Sequence, residues 1–119
     1  MVTEIEIGKV TVELVANAAT PIRYRMLFGE DIIKVMLSQT KEIDTGLMAD
    51  AAGKLAYVMS LQAAKSDFRK VNLESFMTWL EQFDPLDMVM AAGDIMGFYN
   101  QQMTAGSDAK KKASEPTAR

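Results

Sequence analysis

The chain has 119 residues, 49% of them hydrophobic, with no cysteine, no histidine and a formal net charge of -3. That length suits one domain with a real core, and the acidic balance is wrong for a protein that neutralises phosphates along a nucleic acid. The missing thiols and imidazoles remove disulfides, Cys and His metal ligands and the usual general base near neutrality.

Alternation is the first signal along the chain. Ile5, Ile7, Val10, Val12 and Leu14 fall on one face, and Glu4, Glu6, Thr11 and Glu13 on the other, on either side of Gly8-Lys9. Such a pattern predicts a β-hairpin with a type II′ turn, because glycine tolerates the positive φ of its first central position. Two strands alone are marginal, so the hairpin must pack on helices.

Thr20-Pro21 then predicts a helix start, with Thr20 as the cap and the proline where no N–H is needed. The helix should run through Phe28 and bend or break at Gly29. Glu30-Asp31 place acidic groups at the start of a second helix over Ile32–Leu37. After a polar stretch from Ser38 to Gly46, with Asp44 or Thr45 as candidate caps, Met48, Ala51, Leu55, Val58 and Met59 recur at helical spacing as far as about Lys65. Asn72 can cap a further helix carrying Phe76, Trp79, Leu80 and Phe83 as its buried stripe and ending at Phe83. Asp84-Pro85, with Asp87 following, opens a last helix to about Met103.

Thr104 to Arg119 holds no large apolar residue, so a disordered tail over 104–119 is expected behind a single domain over 1–103. Its Lys110, Lys111, Lys112 and Arg119 outnumber Asp108 and Glu115, which leaves the body more acidic than the whole chain. The expected fold class is therefore α+β, mostly α: an N-terminal hairpin on a bundle of about four to five helices. No run approaches the roughly 18 to 20 apolar residues of a membrane span, and Met1-Val2-Thr3-Glu4 is not a basic region followed by an apolar run. A cytoplasmic protein without nucleic-acid or membrane partners is expected.

Catalytic chemistry finds little footing. The pairs Glu30-Asp31 and Asp84 with Asp87 read as helix starts, and no glycine spacing cradles a phosphate. Tyr24 and Asp31 lack an activating base, so no enzyme, metal or cofactor is expected. Gly93 and Gly97 sit in a G-x-x-x-G spacing read as ordinary tight packing. Ten methionines stand out instead, because Met adapts to irregular surfaces and varied partners. In the last helix, Met88, Val89, Met90, Ile95, Met96 and Tyr99 help spread apolar character around most of the cylinder. A helix apolar nearly all round must be buried nearly all round, which points to self-association, a partner groove or a central position in the core.

The hairpin, the block Ile22 to Ile32, the stretch Phe76 to Glu81 and the lysine run together resemble a tail assembly chaperone of long-tailed bacteriophages of Gram-positive hosts. The most specific part is R-Y-R-x-x-F-G-x-D-I, met by Arg23, Tyr24, Arg25, Phe28, Gly29, Asp31 and Ile32. The resemblance implies a non-enzymatic, oligomeric protein of the host cytoplasm that binds and solubilises the tape measure protein and helps recruit tail tube subunits. It also implies that a ribosomal frameshift near Lys110-Lys111-Lys112 can yield a longer product. Within the motif, Tyr24 is expected to pack inward and the arginines to pair with acidic neighbours. A small regulator or inhibitor that binds one host protein through an apolar helix is the alternative.

Overall fold

The computed structural model describes residues 2–38 and 45–114, and side chains of residues 2–37 and 45–104. The candidate cap Asp44 lies outside the described residues. Strands β1 (Thr3–Ile7) and β2 (Val10–Leu14) form an antiparallel hairpin in which Ile5 faces Val12 and Ile7 faces Val10. Gly8 has φ 64° while Lys9 stays in the negative-φ region, as a type II′ turn requires. Ile7, Val12 and Leu14 are buried and Glu4, Glu6, Thr11 and Glu13 exposed, so the alternation decides which face meets the helices.

Helix α1 (Ala19–Phe28) starts differently from expectation. Ala18 stands at the N-cap without a side-chain cap, and Asn17 before it makes an Asx turn, its side chain accepting from the Ala19 N–H at 2.9 Å. Thr20 lies one residue inside the helix and is fully buried, its hydroxyl accepting from the Asn17 N–H (3.0 Å) and from the Gln62 amide (2.8 Å). Two acceptors compete for the orphan amides here, and Asn17, being outside the helix, has the geometry to reach them. Gly29 ends α1 in the left-handed region at φ 69°, its N–H donating to the Arg25 carbonyl at 2.8 Å. Asp31 then caps α2 (Ile32–Ser38) by accepting from the Ile33 N–H at 2.9 Å.

Helix α3 (Thr45–Ala63) is the centre of the molecule. Ala51, Ala52, Leu55, Ala56, Tyr57, Val58 and Met59 are all buried, which covers the full circumference rather than one stripe. Alanine and Gly53 let neighbouring elements approach on every side. The helix stops at Ala63, and Lys65 takes a positive φ of 54° beyond it. A short 3-10 turn (Phe68–Lys70) leads to α4 (Leu73–Leu80), capped as expected by Asn72 in a reciprocal box with Ser75. Helix α4 ends at Leu80, earlier than Phe83, because turn-type backbone bonds from Gln82 and Phe83 replace the helical ones.

The last helix, α5 (Pro85–Ser114), follows Asp84, whose carbonyl accepts from the Met88 N–H at 3.2 Å. Its backbone remains helical beyond Met103, through a stretch rich in alanine and lysine, both good helix formers. Its deep contribution to the core ends at Tyr99, with Met103 half-buried, as a segment without large apolar side chains dictates. Residues 115–119 lie outside the described residues.

Within the monomer, helix α5 is buried on one side only, so of the three readings of its apolar character the central core position does not hold. Met88, Ala91, Ala92, Ile95, Met96, Phe98 and Tyr99 face the core, while Leu86, Met90, Gly93, Asp94, Gly97 and Gln101 form a solvent-facing stripe at helical spacing. The central position is taken by α3, so α5 is a flanking helix with one side buried in the monomer. The G-x-x-x-G pair is likewise not a packing contact, since a Cβ added at Gly93 or Gly97 would meet nothing within 4 Å.

Candidate functional site

Arg23, Phe28 and Glu30 of the R-Y-R-x-x-F-G-x-D-I stretch meet side chains of α3. Tyr24 is fully buried, and its hydroxyl donates to Glu30 at 2.5 Å. Lys54 on α3 bridges Glu30 (3.3 Å) and Asp50 (2.9 Å) and lies 5.5 Å from the centre of the Phe28 ring. Arg23 does not meet a carboxylate as expected. Its guanidinium donates to the Gln62 carbonyl oxygen at 3.2 Å and covers the Phe68 ring at 4.1 Å, because burial of α1 on α3 brings an amide and an aromatic face to it. Arg25 is exposed, and Gly29 and Asp31 act as the helix stop and start described above. The block is thus an α1–α2 corner fastened to the central helix.

Rings extend from that corner across the molecule. Tyr24, Phe28, Phe76, Tyr57, Trp79 and Phe83 follow one another with centroid spacings of 4.8 to 5.4 Å, mostly edge to face. The series joins α1, α4 and α3, and two of its rings, Phe76 and Phe83, line an apolar groove.

This groove, about 400 Å³, runs between α3, α4 and the start of α5. Ala49 and Gly53 form its floor, Phe76, Leu80 and Phe83 one wall, and Pro85, Met88 and Val89 the other, with Asp50 and Asp84 supplying acidic groups to the lining. Apolar side chains continue outward from both walls. Leu73 and Met77, which share a helix face with Leu80, are 56% and 50% exposed; Leu86 and Met90, which share one with Val89, are 68% and 75% exposed. Aliphatic side chains so exposed on either side of a groove are suited to receive another helix.

The α5 residues expected to serve binding or self-association divide accordingly. Met88 is buried in the monomer and lines the groove, Val89 also lines it, and Met90 is exposed on the solvent-facing stripe. Ile95, Met96 and Tyr99 point into the core, and Met96 joins Met36 and Met48 around a separate cavity of about 200 Å³ between α2, α3 and α5. Periodicity alone could not separate these two sets, because both are apolar and alternate around one cylinder. The floor from α3 and the wall from α4 were missed as site residues, although a glycine in mid-helix, Gly53, is a legible sign of close approach.

Among the described residues no helix is long and apolar enough to cross a membrane, and no cluster of three or more His, Cys, Asp or Glu side chains is placed to hold a metal ion. Comparison with protein-family models, with curated proteins and with solved structures finds no match to this chain.

Proposed function

We propose that this chain is a non-enzymatic assembly chaperone of the phage tail type, which holds apolar helices of the tape measure protein in solution and helps bring tail tube subunits to it. In this reading it works as an oligomer in the host cytoplasm. The observation that carries the proposal is the sequence block Arg23 to Ile32, whose resemblance is to that family. The apolar groove between α3, α4 and α5 supports it, since an amphipathic helix presents i, i+3, i+4 and i+7 anchors to such a trough. Met88 on one wall, with Met77 and Met90 exposed on the two flanking helices, suits a holder that must accept many different helical stretches.

Co-expression with the neighbouring long helical gene product, followed by size-exclusion chromatography with light scattering, tests the reading. A soluble complex with many copies of this chain per partner is expected. Changing Met77 and Met90 together to Glu should remove binding while the circular dichroism spectrum is kept, because both side chains are at least half exposed. A complex with one or two copies would favour a regulator of a single target, and a chain that ignores the partner would sink the proposal.

A further inference from the structure

We propose that the outer edge of β1 is a docking site for an extended, basic peptide, which adds antiparallel to the hairpin as a third strand in the trough beside α5. The two-residue turn makes Ile7 and Val10 a hydrogen-bonded pair, so Ile5 with Val12 and Thr3 with Leu14 are hydrogen-bonded pairs as well. The N–H and C=O groups of Glu4 and Glu6 therefore point away from β2. Among the described residues the sheet has two strands, and none of those residues gives these groups a hydrogen-bond partner. An unpaired strand edge is a template for another chain.

Alongside that edge lies an open trough of about 550 Å³, lined by Thr3 to Glu6 of β1 and by Gly93, Asp94, Gly97, Phe98 and Gln101 of α5. The two glycines keep it free, as neither has a neighbour within 4 Å of where a Cβ would stand. Glycine in mid-helix costs stability relative to alanine, so the open floor is maintained against helix propensity.

Charge selects the occupant. In an antiparallel addition the residues opposite Glu4 and Glu6 place their side chains on the same face as those carboxylates, and Asp94 adds a third acidic group to the trough. Lysine or arginine at those alternate positions pairs with them, and small or apolar residues between pass over the glycine floor. The β1 edge of a second copy would set Glu4 and Glu6 against their own kind, which is unfavourable.

The test uses the full chain and a fluorescent peptide alternating lysine and valine, with a glutamate–valine peptide for comparison. Anisotropy should show binding of the first only, and amide exchange should slow at Glu4 and Glu6 on binding. Gly97→Leu, which fills the trough without meeting a described neighbour at its Cβ, should weaken binding by at least about tenfold with no loss of thermal stability. Methylating the backbone nitrogens of the peptide lysines should do the same with no change to the protein. Absence of binding, equal binding of both peptides, or an unaffected Gly97→Leu variant overturns the proposal. So does slow exchange at Glu4 and Glu6 in a peptide-free dimer, which would assign the edge to a second copy.

Discussion

At the scale of single residues, two buried polar groups hold the hairpin, α1 and α3 together. The Gln62 amide donates to the Val15 carbonyl at 2.6 Å and to Thr20 at 2.8 Å, and its oxygen accepts from Arg23. Gln62→Leu leaves those partners short of a bond in a site where Gln62 is only 8% exposed. A loss of about 1–3 kcal/mol is expected in urea unfolding. Tyr24 and Lys54 make stability depend on high pH. Burial, then the hydrogen bond to Glu30 and the charges of Glu30 and Asp50, hold the Tyr24 phenol protonated far above its usual range. For Lys54 burial disfavours the ammonium, but hydrogen bonds and charge attraction from Asp50 and Glu30 raise its pKa on balance. Both folded values exceed the unfolded ones, so the stabilisation is complete below about pH 10 and is lost as pH rises through the folded values. The urea midpoint should fall between neutral pH and about pH 11, and Tyr24→Phe should fall less steeply over the same interval. An equal slope would show that Tyr24 does not carry this dependence.

At the scale of elements, α5 separates two kinds of methionine that look alike in the sequence. Met96→Glu places a carboxylate among core side chains at a site 8% exposed, and a loss of at least about 3 kcal/mol is expected. Met90→Glu, at a site 75% exposed, should change stability by less than about 0.5 kcal/mol. Paired denaturation curves check both. The caps illustrate the same division between local and distant information. Asn72 and Asp31 cap as read, because the competition for orphan amides is local. Thr20 does not, because Gln62, 42 residues away, draws its hydroxyl inward. The long-range bonds of Glu30 to Lys54 and of Arg23 to Gln62 carry no sequence periodicity and were not legible beforehand.

At the scale of the whole molecule, α3 is enclosed by β2, α1, α4 and α5, and β1 rests on α5. Removing residues 105–119 takes away no described core side chain, so the midpoint of thermal unfolding should move by less than about 2 °C. A larger drop in a thermal scan would show that the distal turns of α5 contribute to the fold.

The sequence by itself determined the hairpin and its buried face, the break at Gly29, the capped start of α4 and the mostly helical class. Each rests on interactions between residues a few positions apart: strand alternation, left-handed glycine and helix capping. Only the tertiary structure decided that α3 is central and α5 flanking, that Met88 and Val89 line a groove while Ile95, Met96 and Tyr99 fill the core, and that Gly93 and Gly97 border open space. An apolar side chain loses the same contact with water against any neighbour of suitable shape, so its hydrophobicity states that it will be covered and leaves the covering element to packing.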